Sequence, residues 1–244
     1  MTIETLPRQF HDAEKIFNLR DVGGWAADGG RTVRTGRVFR SDNVGRPTEA
    51  DLDLLVNRLG IRHVIDLRRA EEWEVAGRFP EVEGVEFHHF ELLHVRWENI
   101  GRPYPEGAAT VPFLRQRYSG MLESGYQAVR DSLDVIAGGE PVLFHCMAGK
   151  DRTGLVAASL LSVLGVGEED IAADYALSNH GIARWKRWRD EHLGKPATES
   201  GLTTPAEAML ETLAEMRERF GSMGEYVTAT GFDRAEELRE LLLD

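Results

Sequence analysis

Apolar positions along the chain follow two periods. "GRVFRS" (36–41) and "GVEFHHFEL" (84–92) carry the short apolar and aromatic runs of strands, and "IRHVIDL" (61–67) is β-branched and apolar enough to be a buried one. "PVLFHC" (141–146) reads as a further strand. Elsewhere the apolar residues recur at helical spacing, which predicts helices at 48–60, near 110–122 and 125–137, and at 152–165, 168–177 and 179–192. The stretch 152–165 is apolar nearly all round, as in a buried helix. Local signals bound several of these. Thr48 with Asp51 is a near relative of the capping box, and Gly60 and Gly165 stand where two helices should stop. "TPAEAMLETLAEMRERFG" (204–221) opens with Thr204 as cap, Pro205 at the first helical position and Glu207 as reciprocal carboxylate. "SMGEYV" (222–227) and "DRAEELRELLL" (233–243) read as short capped helices.

Strands thus alternate with helices over the first two thirds, and helices dominate the end. The expected class is α/β, with a largely parallel central sheet flanked by helices and a helical C-terminal part. "WENIGRPYPEG" (97–107) reads as loop, and "GKPATESGLTT" (194–204) as a polar connector. No repeat, low-complexity tract or strong boundary divides the chain, so a single domain over 1–244 is expected.

Composition narrows the function. Of the 244 residues 42% are hydrophobic and 29% charged, an ordinary globular balance. With 29 Lys and Arg against 41 Asp and Glu, the net charge of −12 makes a poor general binder of nucleic acid or anionic membrane. An anionic substrate would need a local basic pocket. The single cysteine excludes an internal disulfide framework and a multi-cysteine metal site. The start lacks the apolar core of a secretory signal, and no stretch approaches the roughly 18 consecutive apolar residues of a membrane span. A cytoplasmic protein with a reduced thiol is expected, export by a route without a recognisable signal staying open.

That thiol, Cys146, sits in "FHCMAGKDRTGL" (144–155), between a buried strand and a buried helix. Backbone N–H groups and a helix N-terminus converge at such a junction, which suits a dianion. Gly149 permits a tight turn, Ala148 keeps bulk away, and Arg152 can grip two phosphate oxygens with its planar fork. The same positive field favours the thiolate form of a cysteine, and a thiolate beneath a phosphoryl group is placed for in-line attack on phosphorus. A nucleotide-binding P-loop would need a glycine five residues before the Gly-Lys pair and Ser or Thr after the lysine; Phe144 and Asp151 stand there instead.

"HCMAGKDRTG" resembles the Cys-x5-Arg phosphate loop of the protein tyrosine phosphatase superfamily, and its Gly-Lys-Asp-Arg-Thr-Gly form is similar to the bacterial and fungal tyrosine/serine phosphatase branch. "FNLRDVGG" (17–24), "GRVFRSDN" (36–43), "VIDLRRAEE" (64–72) and "ERFGSMGEYV" (218–227) extend the resemblance over roughly residues 15–242. It implies the tyrosine phosphatase fold and a cysteine-dependent phosphomonoester hydrolase that needs no metal or cofactor. Phosphotyrosine in a protein or peptide is the first expected substrate, with phosphoserine, phosphothreonine and phosphoinositides as extras. The alternative is a catalytically silent phosphate-binding module.

By the same resemblance Cys146 is the nucleophile and Arg152 the phosphate-binding arginine. Met147, Ala148, Gly149, Lys150 and Asp151 form the amide cradle with Arg152, and Thr153 supplies the hydroxyl that helps the thiolate leave. His145 orients the loop. The general acid is open between Asp66, at the C-terminal edge of a parallel strand and placed slightly ahead, and Asp151 inside the loop. Lys150 adds a second cation for more highly charged substrates, or is a solvated surface lysine. Arg20 and Asp21 support the pocket rim or form a buried ion pair. "ARWKRWRDEHLG" (183–194) puts Trp185 and Trp188 one turn apart on one helix face, either as a helical lid over the cleft or as a surface helix docked on the core.

Overall fold

A computed structural model of the protein describes residues 7, 9–92, 110–194 and 203–244. The expected loop at 97–107 and most of the connector at 194–204 lie outside these residues, as do the first six. The described chain builds a five-stranded sheet in the order β1-β2-β5-β3-β4: β1 (Arg20–Asp21), β2 (Val38–Ser41), β3 (His63–Asp66), β4 (Glu86–His89) and β5 (Val142–His145). Only β1 runs antiparallel; β2, β5, β3 and β4 are parallel. This is the α/β class expected from the alternation of strands and helices.

Side chains alternate across the sheet and feed two cores. Val38, Ile65, Val142 and Phe144 face the larger one. It is filled by α3 (Thr110–Ser124), α4 (Tyr126–Ile136), α5 (Asp151–Val163), α6 (Glu168–Ala176), α8 (Ala206–Phe220) and α9 (Met223–Ala229), with α10 (Ala235–Leu242) behind. Phe39, Val64 and Leu143 face the smaller one, under α1 (Glu49–Asp53) and the N-terminal segment at Ile16 and Leu19. Helix α5 runs through the middle, buried almost along its whole length, as its uniformly apolar sequence predicts.

Thr48 and Asp51 do form a reciprocal capping box, and the buried Asp51 carboxylate also accepts from the N–H of Glu14. The helix expected to run straight through 48–60 changes character after Asp53, where Leu54–Arg58 form a π-helical turn; the N–H of Leu59 bonds the carbonyl of Leu54. Two expected caps are not made. Helix α8 starts at Ala206 behind Pro205, with no side-chain cap; Thr204 is held instead by Asn179, whose Oδ1 accepts its N–H at 3.0 Å. Arg234 precedes α10, again without a capping side chain. Among the described residues no helix is long and apolar enough to cross a membrane.

Candidate active site

Strand β5 ends at His145, α5 starts at Asp151, and the loop between carries Cys146 at its base, 2% exposed. The tight turn depends on Gly149, whose φ is +65° and where a Cβ would lie 2.5 Å from the Ser41 carbonyl carbon and oxygen. Two side chains pull the loop carbonyls beneath it. Asn18 Nδ2 donates to the Ala148 and Gly149 oxygens at 3.1 Å, and Arg40 Nη2 to the Gly149 oxygen at 2.9 Å. Because a trans peptide sets its N–H opposite its C=O, the N–H groups of Gly149 and Lys150 turn the other way, away from those side chains. With the N-terminus of α5 alongside, the loop has the donors to cradle an anion.

The cradle rests on a buried charge cluster. Asp174 on α6 receives Arg20 Nε at 3.3 Å and Arg40 Nη1. Arg20 also reaches the Asp174 carbonyl, Ser178 Oγ at 3.1 Å and Asn18 Oδ1. Burial and the neighbouring Arg40 push the Arg20 guanidinium down to about 9. Arg20 thus supports the site from below, through Asn18. Asp21 does not pair with it: its carboxylate accepts the N–H groups of Gly23 and Gly36, at 2.7 and 2.5 Å, and fixes a turn.

Arg152 is buried at the first turn of α5 and is gripped by Glu72 on α2 (Glu71–Ala76), with Nη1 2.6 Å from Oε2 and Nη2 2.9 Å from Oε1. Burial opposes its charge, but Glu72 and the adjacent Cys146 sulfur more than offset this and hold the guanidinium well above its ordinary range. Glu72 is itself aimed by the Arg69 N–H, at 2.9 Å.

Asp66 lies directly beneath this arrangement and is fully buried. It accepts Arg68 Nη2 at 2.7 Å, the Arg68 N–H at 2.9 Å and Trp73 Nε1 at 2.9 Å. Burial pushes this carboxyl up, yet His145 and the Arg68 contacts outweigh that and keep it well below the usual carboxylate range. Those bonds tie down the segment from which α2 and Glu72 project. His145, pushed down to about 4 by burial, sits with Nε2 3.6 Å from Asp66 and Nδ1 3.2 Å from the Cys146 oxygen.

Asp151 has the opposite setting, with its side chain 20% exposed at the loop. Tyr118 donates its hydroxyl to Asp151 Oδ1. Having spent its proton there, Tyr118 accepts from Tyr175 at 2.6 Å. Lys150 is not a solvated surface lysine: its side chain is 2% exposed, with Nζ 3.6 Å from Asp151 Oδ1. The Thr153 hydroxyl is buried and has no hydrogen-bond partner among the described residues.

Beside the loop opens a largely apolar pocket of about 340 Å³, whose walls include Phe17, Met147, Ala148, Ile182 and Trp185. It forms because α7 (Ser178–Leu193) approaches the N-terminal segment at Gly181, where a Cβ would lie 2.6 Å from Asn18. Trp185 faces this pocket, while Trp188 packs on Phe17 at 5.6 Å between ring centres. Arg184 is engaged by the Phe17 carbonyl and Asp12. The helix is therefore both a wall of the cleft and docked on the core.

The fold brings Cys146, Arg152, Lys150, Asp151 and Thr153 together with His145 and Asp66 behind them. Glu72, Asn18, Arg40, Asp174 and Tyr118 complete the site and were not singled out from the sequence. Asn18 and Arg40 lie inside the segments "FNLRDVGG" and "GRVFRSDN", so a signal was present for them. The three acids Glu71, Glu72 and Glu74 in the first turn of α2 are a helix-start signal that could have found that helix. Nothing local marks Tyr118 or Asp174.

Comparison with known proteins gives the chain a family. The family described as the tyrosine phosphatase family matches residues 11–244. A Cupriavidus necator protein assigned as a tyrosine-protein phosphatase is 35% identical over 71% of this chain, which spans 64% of that relative's length. The triple specificity protein phosphatase PtpB of Mycobacterium tuberculosis is 27% identical over 93% of this chain and 96% of its own. Among solved structures, P. aeruginosa TpbA in complex with phosphotyrosine is 18% identical, covering 59% of this chain and 70% of that one, with a TM-score of 0.30.

Proposed function

Since this chain belongs to the tyrosine phosphatase family, we propose that it hydrolyses phosphomonoesters, phosphotyrosine in proteins or peptides first among them, through a phosphorylated Cys146. The observation that carries this reading is geometric: Cys146 follows strand β5 at the base of the loop, and Arg152, held by Glu72, stands in the first turn of α5 at the loop's other end. The substrate's phosphoryl oxygens enter the amide cradle and meet Arg152. The Cys146 thiolate attacks phosphorus in line, an S–P bond forms, and the ester P–O bond breaks with its electron pair leaving on oxygen. That oxygen needs a proton. Asp151 is the donor we assign on access: its side chain is partly exposed where Asp66 is fully buried, although Tyr118 and Lys150 both favour its ionised form. The buried Asp66, kept ionised by Arg68, serves to position the Glu72 segment. Water then attacks phosphorus and gives its proton to the Asp151 carboxylate, the S–P bond breaks, and the Thr153 hydroxyl, without a hydrogen-bond partner among the described residues, donates to the departing thiolate.

Cys146 is only 2% exposed, and a buried thiol is more easily reached by a long aryl ester than by a short alkyl one. The name of the mycobacterial relative gives that protein triple specificity; here we carry it over as secondary activity toward phosphoserine, phosphothreonine or phosphoinositides. The test is turnover of p-nitrophenyl phosphate and a phosphotyrosyl peptide in the presence of a chelator. Both should be hydrolysed by the wild type and neither by Cys146→Ser. Phosphopeptide binding without turnover of either substrate would favour a silent binding module.

A further inference from the structure

At the opposite end of β3 from Asp66, the register pairs His63 with Glu86 and Ile65 with His88. Since residues i and i+2 share a face, His63, Glu86 and His88 project from the same side of the β3–β4 ladder. Their potential ligand groups form a small triangle, each imidazole facing a different oxygen of the Glu86 carboxylate. His63 Nδ1 is 3.0 Å from His88 Nε2 and 3.8 Å from Glu86 Oε2, and His88 Nε2 is 3.7 Å from Glu86 Oε1. A tetrahedral zinc with ligand bonds of about 2.0–2.1 Å sets its ligand atoms about 3.4 Å apart. The three separations lie on both sides of that value; the two to Glu86 are made by different oxygens of its carboxylate, so binding through one oxygen takes a small turn of this exposed side chain.

The outer partner is also present. His63 Nε2 lies 3.2 Å from Glu140 Oε2. A carboxylate accepting from Nε2–H fixes the tautomer whose lone pair is on Nδ1, the atom inside the triangle, and raises its basicity. The two imidazoles are mostly covered, at 16% and 15% exposure, whereas Glu86 is 67% exposed. The cluster is therefore anchored on two sides and open on the third, where water could fill a fourth position.

We propose that His63, Glu86 and His88, with Glu140 behind His63, form a binding site for a divalent transition metal of the zinc class, separate from the phosphate loop. The cation takes the place of the proton that the facing imidazole nitrogens share; that proton passes to Nδ1 of His88, whose other neutral tautomer presents the Nε2 lone pair to the metal. The ion ties β4, the edge strand, to β3, and takes no part in phosphoryl transfer. Its role is a staple that stabilises the folded chain by mass action, since the separated strands of the unfolded chain do not present the triangle.

The test uses the full chain carrying Cys146→Ser, so that the reactive thiol cannot supply a ligand. Zn²⁺ is titrated by calorimetry after chelator treatment, and Co²⁺ is followed by its visible d–d bands. The expected result is one equivalent bound at micromolar Zn²⁺, an intense tetrahedral Co²⁺ spectrum and a raised melting temperature. His88→Ala and Glu86→Gln should each weaken binding; Glu140→Gln should weaken it roughly tenfold and ligand loss ~100-fold or more. Melting in chelator verifies that each variant folds, and the exposed Glu86 keeps the test valid should a histidine variant fail. Without Cys146→Ser, chelator-treated protein should show the same turnover with and without His88→Ala. Absence of saturable Zn²⁺ binding, or binding undiminished by Glu86→Gln and His88→Ala, overturns the proposal.

Discussion

Glu72 holds both terminal nitrogens of Arg152, at 2.6 and 2.9 Å, so the guanidinium that faces Cys146 is clamped along its outer edge. The clamp leaves the Nε edge for an oxyanion, and a five-donor guanidinium can serve both partners at once. Glu72 is therefore a positioning residue. Glu72→Gln should lower kcat/KM about ten- to hundredfold, the range expected when a hydrogen bond to a charged group worth roughly 1.5–3 kcal/mol is weakened. Glu72→Asp, which keeps the charge, should recover part of it. An unchanged or faster Glu72→Gln enzyme would mean instead that the carboxylate competes with substrate.

The two carboxylates that the sequence left open differ in their surroundings, and a leaving-group series separates them. Asp151→Asn should slow phenyl phosphate far more than p-nitrophenyl phosphate, whose leaving group hardly needs a proton. Asp66→Asn should slow both alike, because it loosens the Arg68 and Trp73 anchors of α2. The reverse pattern would return the acid role to Asp66.

The contrast shows which part of the site could be read from residue order. The loop from Cys146 to Thr153 is contiguous, so one short segment carries the proposed nucleophile, cradle and phosphate-binding arginine together. Alternation of strands and helices likewise carried the parallel sheet, and the glycines at 60 and 165 marked real helix ends with positive φ. What escaped was tertiary. Asp174 reaches Arg40 across 134 positions and Asp151 meets Tyr118 across 33, and no local pattern encodes such pairings. The Thr204 cap failed for a similar reason, since its hydroxyl donates to the distant Ala176 carbonyl at 3.4 Å while Asn179 on α7 holds its N–H. Asp66 was attractive because a parallel strand's C-terminal edge usually faces ligand, but Arg68 two residues later closes over it.

The cluster under the cradle sets a stability prediction. Asp174 is the shared counter-charge of Arg20 and Arg40, both fully buried. Asp174→Asn leaves two guanidiniums without it, and removing one partner of a buried ion pair costs about 3–5 kcal/mol. Chemical denaturation should show a loss of that size together with weakened phosphate binding. A loss within measurement error would show that the arginines find other acceptors.

Asp42 gives a prediction in pH. Burial pushes its carboxyl up to about 6, although the Asn18 N–H bonds it at 2.8 Å. A carboxyl raised in the folded state stabilises below the unfolded value near 3.8, and this stabilisation is lost as pH rises through about 6. Asp42→Asn abolishes the ionisation. The variant's melting temperature relative to wild type should therefore be higher at pH 8 than at pH 4. Taking the difference removes the buried His145, whose lowered value works in the opposite sense over the same range. A difference that does not vary with pH would refute the assignment.

The most direct measurement is to trap the covalent intermediate. Thr153→Ala removes the donor to the departing sulfur and should slow breakdown of the phosphoenzyme more than its formation. Rapid quenching of that variant with a phosphotyrosyl peptide, followed by mass spectrometry of its fragments, should find one phosphoryl group on Cys146, absent when Cys146→Ser is added. Steady turnover with no label on Cys146, or label that persists in Cys146→Ser, would contradict catalysis through this thiolate.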